Sequence, residues 1–140
     1  MSDELCKEGL KFILETAFPA SQSVPANFYI GLCTDVSVAE DASLADLTEL
    51  SGFNYARIVV PSGSVTGFTS EQAGTADWKI TTITVEFEAS GGAWSGAIHC
   101  FLANTSDDSG SLIAVSALSA TRTLQDGDKL QVSMVIQLNG

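Results

Sequence analysis

Basic residues are scarce in this sequence. Six lysines and arginines stand against seventeen aspartates and glutamates in 140 residues, which gives a formal net charge of −11 at pH 7. Proteins that bind nucleic acids or anionic membranes gain affinity from lysine and arginine side chains that displace counterions. The deficit therefore argues against both kinds of partner, and the acidity instead predicts solubility and repulsion between free copies of the chain.

Cysteine is also rare, and its three positions are far apart. Cys6, Cys33 and Cys100 show no CxxC spacing, and apolar residues flank them. An odd number of widely spaced cysteines argues against a disulfide framework and against a zinc site. We expect three small buried thiols in a protein that folds in a reducing cytoplasm.

Long apolar runs are missing as well. None approaches the roughly 18 residues that a membrane span requires, and the first residues, MSDELCKEG, are charged where a signal peptide has its apolar core. No transmembrane segment and no secretory leader are therefore expected.

The motifs of common active sites are absent too. There is no GxSxG elbow and no GxxxxGK[ST] phosphate loop. The single histidine, His99, lies in the apolar stretch AIHCFLA, where a packed residue is more typical than a general base. The paired acids of TSDDSGS and LQDGDKL do not have calcium-loop spacing and suit hairpin turns instead. We therefore expect a protein that is not an enzyme, with no catalytic residue, no cofactor and no metal site.

What the sequence does contain predicts one domain over residues 1–140, with a helix at residues 1–18. Ser2 or Asp3 can cap this helix, and Pro19 ends its pattern. Gly9 weakens it by about 1 kcal/mol relative to Ala, so the helix needs tertiary contact. Its predicted apolar face comprises Cys6, Leu10, Ile13, Leu14 and Ala17.

The remainder, residues 26–138, has the pattern of strands separated by turn signals at intervals of about 8–12 residues, which favours an antiparallel β-sandwich of the jelly-roll or immunoglobulin-like kind. NFYIGLC is apolar on both faces and is typical of a strand buried on both sides. WKITTITVEF reads as one strand, and so does the alternating segment at 128–138. The residues predicted to face inward in the last strand are Leu130, Val132, Met134, Ile136 and Leu138.

Two features are candidates for contacts with other proteins. The first is the helix face, with Leu10, Ile13 and Leu14 as its centre, although the helix is at least as suited to covering one end of its own sandwich. The second is an acidic segment that either forms a long surface loop or contains a short helical turn around residues 44–47. Its acids are Asp35, Glu40, Asp41, Asp46 and Glu49.

Arg57 is the cation of the strand YARIVV, and we predict that it forms a structural or intersubunit salt bridge, for example to an acid of residues 35–49. An exposed pair would contribute only about 0–1 kcal/mol. Trp78 and Trp94 could stack on sugar rings, but they are more typical of core or turn-anchoring aromatics.

Several stretches taken together resemble a group of small bacteriophage virion proteins of the tail-fibre-like or head-decoration type. They are PANFYIGLCTD, ELSGFNYARIVV, GGAWSGAIHCFLANTSDDSGSLIAVSAL and TLQDGDKLQVSMVIQL, in that order after an N-terminal helix. The resemblance covers about Ala26 to Leu138, and it rests on the order of short motifs. This sequence departs from the pattern at Ser95, which intervenes between Trp94 and Gly96.

The resemblance implies a non-enzymatic structural protein of a tailed phage, located in the virion and assembled in the cytoplasm of the bacterial host. Its expected partners are the major capsid protein or other virion proteins, with further copies of itself on the particle. A small acidic domain without fibre repeats favours capsid decoration on the outer head surface. The alternatives are a tail or fibre-associated virion protein and a carbohydrate-binding β-sandwich module.

Overall fold

The computed structural model describes residues 4–64 and 66–138, which form one α-helix, one 3₁₀ turn and ten strands. The helix α1 spans Lys7–Ala17, and the 3₁₀ turn spans Leu44–Asp46. The strands are β1 (Glu4–Leu5), β2 (Asn27–Cys33), β3 (Ile58–Pro61), β4 (Phe68–Gln72), β5 (Trp78–Thr82), β6 (Val85–Glu88), β7 (Ala97–Ala103), β8 (Leu112–Arg122), β9 (Lys129–Val132) and β10 (Val135–Leu138).

The strands form two layers. One is a five-stranded sheet in the order β1-β8-β7-β2-β3, and the other consists of a three-stranded sheet, β10-β5-β4, and the pair β6-β9. The strand pairs within the three sheets are antiparallel. The mostly β, antiparallel sandwich with an N-terminal helix that the sequence predicts is confirmed.

The second layer is interrupted where the sequence predicts two continuous strands. β5 gives way to β6 after Thr82, and β9 gives way to β10 at Ser133 and Met134. The two breaks face each other. The backbone N–H of Thr82 donates to the carbonyl of Met134 (2.9 Å), and the N–H of Met134 donates to the hydroxyl oxygen of Thr82 (2.9 Å). Because Thr82 is only 4% exposed, this side chain replaces a ladder bond that water cannot supply.

Four of the five residues predicted to face inward in the last segment are buried or partly buried. Val132 and Met134 are buried as predicted, and Leu130 and Ile136 are partly buried against the core. Leu138 is 49% exposed, so its predicted inward position is wrong. It lies opposite Trp78 at the end of the β5–β10 pair, and β10 is the edge strand of its sheet.

The five-stranded sheet is covered on both faces. Ile30 and Leu32 face the second layer and belong to the main core. Cys33 and Phe101 lie on the opposite face and pack with Leu44 of the acidic segment. The prediction that β2 is buried on both sides is confirmed, and so is the short helical turn within residues 35–49.

The helix starts later and faces another way than predicted. Ser2 and Asp3 lie outside the described residues, and Cys6 occupies the N-cap position without a side-chain cap. Residues 4 and 5 instead pair with β8. Gly9 and Phe12 are the buried helix positions.

The predicted apolar face is therefore correct only in part. Cys6 is buried and Ile13 packs against the core, but Leu10 is 45% exposed and Leu14 is 55% exposed. The cause is the close approach that Gly9 permits. A Cβ atom at this position would overlap the carbonyl oxygen of Ile113 in β8, so the helix packs through its glycine and turns its leucines outward.

The bonds across the break predict that Thr82→Val destabilises the protein although it preserves the shape of the side chain. The variant leaves the buried N–H of Met134 without its acceptor, which costs roughly 1–3 kcal/mol. Chemical denaturation followed by circular dichroism measures the difference. Thr84→Val is the matched control, because Thr84 is exposed. Equal denaturation midpoints for the two variants would contradict the role of the Thr82 hydroxyl.

The packing of Gly9 predicts that Gly9→Ala also destabilises the protein. Alanine favours an isolated helix by about 1 kcal/mol, but the new methyl group would overlap backbone atoms of Ile113. Overpacking of this kind costs about 1–3 kcal/mol, so we expect a net loss in thermal unfolding. Lys7→Ala, at the exposed start of the helix, should have little effect. A higher melting temperature for Gly9→Ala would show that the helix does not rest on β8 at this point.

Candidate functional site

Arg57 forms the densest polar network of the described residues. Its Nε donates to Oε2 of Glu49 (3.0 Å) and its Nη2 donates to Oε1 (2.8 Å), which is a bidentate pair. Nη2 also donates to Oδ1 of Asp108 (2.7 Å), and Nη1 donates to the carbonyls of Thr105 (3.2 Å) and Asp107 (2.7 Å). The predicted salt bridge to an acid of residues 35–49 is confirmed, and it is made within one chain.

The guanidinium has no remaining capacity for an outside partner. All five of its N–H groups have acceptors, and the Arg57 side chain is only 5% exposed. The guanidinium carbon Cζ lies 5.1 Å from the centre of the Phe101 ring. Burial disfavours its charge, but the hydrogen bonds to Glu49 and Asp108 outweigh burial and raise the pKa of Arg57. The geometry assigns Arg57 to the protein's own framework.

Tyr55 extends this network into β2. Its hydroxyl donates to Oε2 of Glu49 (2.5 Å) and accepts from the backbone N–H of Leu32 (2.9 Å). Burial, together with the hydrogen bond to Glu49, raises the pKa of Tyr55 well above its usual range. The residue also stacks on Phe87 with ring centres 6.1 Å apart, so one side chain joins the acidic segment to both layers.

The acidic segment is held by its own carboxylates. Oδ2 of Asp35 accepts from the backbone N–H of Thr48 (2.7 Å). Oδ2 of Asp46 accepts from the N–H (2.9 Å) and the hydroxyl (3.1 Å) of Ser43, forming a capping box for the 3₁₀ turn. With Glu49 bound to Arg57, three of the five acids predicted for outside contacts have internal structural roles.

Glu40 and Asp41 are exposed, as is Asp46. The carbonyl of Glu40 accepts from the backbone N–H of Lys7 (2.8 Å), so the main chain here also anchors the first turn of α1. Among the residues that the sequence proposes for interaction, the structure therefore brings the acidic segment and the helix start together through the backbone.

The paired acids of the turns also bind backbone groups, as their sequences predict. Asp126 accepts from the N–H of Gly91 (2.9 Å), and Asp128 accepts from the N–H of Gln125 (2.9 Å). Asp107 accepts from the hydroxyl and the N–H of Ser109, which lower the pKa of its carboxyl. Within residues 4–64 and 66–138, no group of His, Cys, Asp and Glu side chains has the arrangement of a metal site.

His99 and the cysteines have packing roles. Nδ1 of His99 lies 2.8 Å from the carbonyl of Asp35, and since a carbonyl only accepts, this nitrogen carries the proton. Cys6, Cys33 and Cys100 are buried, as predicted, and no disulfide joins cysteines within residues 4–64 and 66–138. Burial raises the pKa of Cys33 to about 12, which keeps the thiol protonated and unreactive.

An apolar groove that the sequence did not predict opens between α1 and the β10-β5-β4 sheet. It has a volume of about 520 Å³, and Phe12, Phe28 and Phe68 form its inner wall. The three rings meet edge to face, with centres 6.1 Å and 5.3 Å apart. The residues at its exposed rim are Val24, Trp78, Ile80 and Leu138.

The two tryptophans differ in accessibility. Trp94 is 3% exposed, and its Nε1 donates to the carbonyl of Phe53 (2.9 Å), so it is a core anchor and cannot stack on a sugar. Trp78 is 58% exposed on the groove rim. The groove has few polar side chains to bind sugar hydroxyls, which makes it better suited to apolar groups of another protein.

The groove could not have been found from periodicity. Its lining comes from segments far apart in the sequence, and the sequence signal is only that the apolar residues Trp78 and Leu138 lie at the ends of two predicted strands. Of the predicted helix residues, Ile13 lines the groove, whereas Leu10 and Leu14 are exposed on the outside of the helix.

The saturated guanidinium predicts that Arg57→Ala unfolds the protein far more easily than its parent. Breaking a buried pair costs about 3–5 kcal/mol because the acid is left without its partner. Chemical denaturation measures this loss. Lys79→Ala is the control, since the Lys79–Glu71 pair is largely exposed and should contribute about 0–1 kcal/mol. A similar small loss for both variants would show that Arg57 does not anchor the acidic segment.

The chain is similar to a described family of phage proteins over nearly its whole length. Residues 1–137 match the family described as podophage GP4 fiber I protein gp80. No curated protein matches the chain. The match extends over the helix, the acidic segment and nearly all of the sandwich, and a family of this description consists of structural virion proteins. The chain belongs to the podophage GP4 fiber I protein gp80 family, and it is a structural protein of a bacteriophage virion.

Proposed function

We propose that the protein is a non-enzymatic component of a podophage tail fibre, where it binds other virion proteins through apolar surface. The observation that carries the proposal is the family match over residues 1–137, whose description names a fibre protein. It favours the fibre-associated alternative from the sequence over capsid decoration, which stays a prediction.

The internal bonding of the polar residues supports a non-enzymatic role. A catalytic acid or base needs a position from which it can reach a substrate. Here Glu49 binds Arg57 and Tyr55, Asp35 and Asp46 bind backbone N–H groups, and His99 binds a backbone carbonyl. The side chains that usually perform chemistry are used to hold the fold together.

Charge supports protein partners over nucleic acids. At −11 the chain offers few groups for phosphate contacts, and its best-bonded cation, Arg57, is buried. None of the helices in the described part of the chain is long and apolar enough to cross a membrane. The groove, with Trp78 and Leu138 at its rim, is the kind of exposed apolar surface that marks protein contacts.

Immunogold electron microscopy of intact virions tests the location. An antibody against this protein should label the fibres around the tail, and a second antibody against the major capsid protein controls for access to the head. Labels spread over the whole head surface would contradict the fibre assignment and favour capsid decoration. Virions that do not contain the protein would contradict both the fibre assignment and capsid decoration.

A further inference from the structure

The outer side of α1 carries an apolar strip that no other part of the described chain covers. Leu10 and Leu14 are 45% and 55% exposed, Ala17 follows one turn later, and Phe18, directly after the helix, is 79% exposed. In a helix, positions 10, 14 and 17 lie along one stripe. Ile13 stands beside this stripe and lines the groove, so strip and groove form one apolar surface.

This surface is nearly neutral in a strongly acidic protein. Residues 7–24 and 68–80, which contain the helix and much of the groove, hold three cations and four acids, whereas the whole chain holds six and seventeen. Two copies at −11 repel each other, and the repulsion is smallest where two nearly neutral surfaces meet.

The charges beside the strip can pair with the same charges of a second copy. Lys11 and Glu15 each follow one of the strip leucines, so they lie on the same flank, one turn apart. When two such helices pack antiparallel about a two-fold axis, the same flanks meet in opposite directions. Lys11 of each copy then faces Glu15 of the other. A parallel arrangement would bring opposite flanks together and lose both pairs.

These side chains are available for such contacts. None of the ion pairs between described residues involves Lys11 or Glu15, and Lys11 is exposed. Glu15 makes one long hydrogen bond, from Nε2 of Gln22 at 3.4 Å. Neither charge is needed to hold the fold.

The area of a stable interface requires that the groove rim also contacts the second copy. A helix of eleven residues is only about 16 Å long, and a stable interface covers about 800 Å² on each partner. The leucine strip alone is smaller than this. Val24, Trp78 and Leu138 at the adjoining rim extend the apolar area, and the neighbouring Phe18 is placed to contact the rim of the second copy.

We propose that this protein forms a two-fold dimer in which the outer strip of α1 and the adjoining groove rim pack against the same surface of a second copy, with the two helices antiparallel. The inference deepens the proposed fibre function and rests on it for its biological setting, since a fibre component must present surface to neighbouring chains.

Sedimentation equilibrium of the full chain over a concentration series tests the dimer. Variants that reverse the charge of Lys11 or Glu15 test the proposed pairs most specifically. Lys11→Glu places acids opposite acids, Glu15→Lys places lysines opposite lysines, and the double variant restores both pairs in reverse. We expect each single variant to raise the dissociation constant of the dimer about tenfold or more. The double variant should have a dissociation constant within about threefold of the parent's.

Glu15→Lys separates this account from a general charge effect. It makes the chain less acidic, so if net charge alone governed association, this variant would dimerise more strongly than the parent. The dimer proposed here requires the opposite result. Equal or stronger association of Glu15→Lys would overturn the proposal, and so would a double variant as weak as the singles.

The apolar part is tested with neutral substitutions. Leu10→Gln combined with Leu14→Gln should abolish the dimer, while Val59→Gln should leave it unchanged. Val59 is a matched control because it is 44% exposed and lies on β3, at the far edge of the sheet from β8. Circular dichroism confirms that each variant folds.

A parent chain that stays monomeric at every concentration, or a dimer that survives the double glutamine variant, would overturn the inference. Either result leaves the fibre assignment standing, because that assignment is tested separately by labelling of virions. If labelling of virions contradicts the fibre location, a dimer found in solution would stand, but its proposed place in a tail fibre would not.

Discussion

The buried guanidinium of Arg57 is the constraint on which the rest of the structure depends. The five-stranded sheet has apolar side chains on both faces, but the second layer covers only one of them. The other face is covered by the segment at residues 35–54, which contains many acids and little regular structure. Leu44 and Ala42 pack onto the sheet, yet so few apolar residues cannot hold a long loop in place. The bidentate pair from Arg57 to Glu49 supplies the anchor, and Tyr55 connects it to β2.

This arrangement separates the acids by role. The sequence suggested that the acidic segment offers its charges to a partner, but most of its carboxylates bind groups of the same chain. The outside of α1 and the groove beside it offer exposed apolar surface instead. For a virion protein with a net charge of −11, this is physically reasonable, because binding through neutral apolar surface avoids the repulsion that charged surfaces would bring.

The architecture could be predicted because its signals are local. Alternating strands, turn residues and a helix that ends near Pro19 all specify short-range structure, and the double-sided burial of β2 is visible in NFYIGLC. The salt bridge of Arg57 was also within reach, since a single cation in a strand of an acidic chain needs a partner. The sequence pattern alone could not show which face of α1 packs against the sheet. Two stripes of the helix are apolar, and the choice between them depends on Gly9 meeting the backbone of Ile113, a contact between residues over a hundred positions apart.

The break in the second layer was visible in only one of its two strands. KLQVSMVIQL alternates without interruption, whereas the apolar residues of WKITTITVEF change from even to odd positions across Thr81 and Thr82. The pairing of Thr82 with Met134 shows that both strands stop at this point. Leu138 and Trp78 pair at the opposite end of β5 and β10, where both lie on the rim of the groove. The groove is lined by the helix and by several strands that are far apart in the sequence, so the periodicity of a single strand cannot show it.

Amide hydrogen exchange of the free protein tests most directly whether the acidic segment belongs to the framework. The backbone N–H of Leu50 donates to the carbonyl of Leu32 (3.1 Å), and that of Thr34 donates to the carbonyl of Thr48 (2.9 Å). If Arg57 anchors this segment as described, the amides of Thr34, Thr48 and Leu50 exchange nearly as slowly as those of β2. Exchange of these three amides at the rate of an unstructured loop would contradict the account, because the outer face of the sheet would then be covered only transiently.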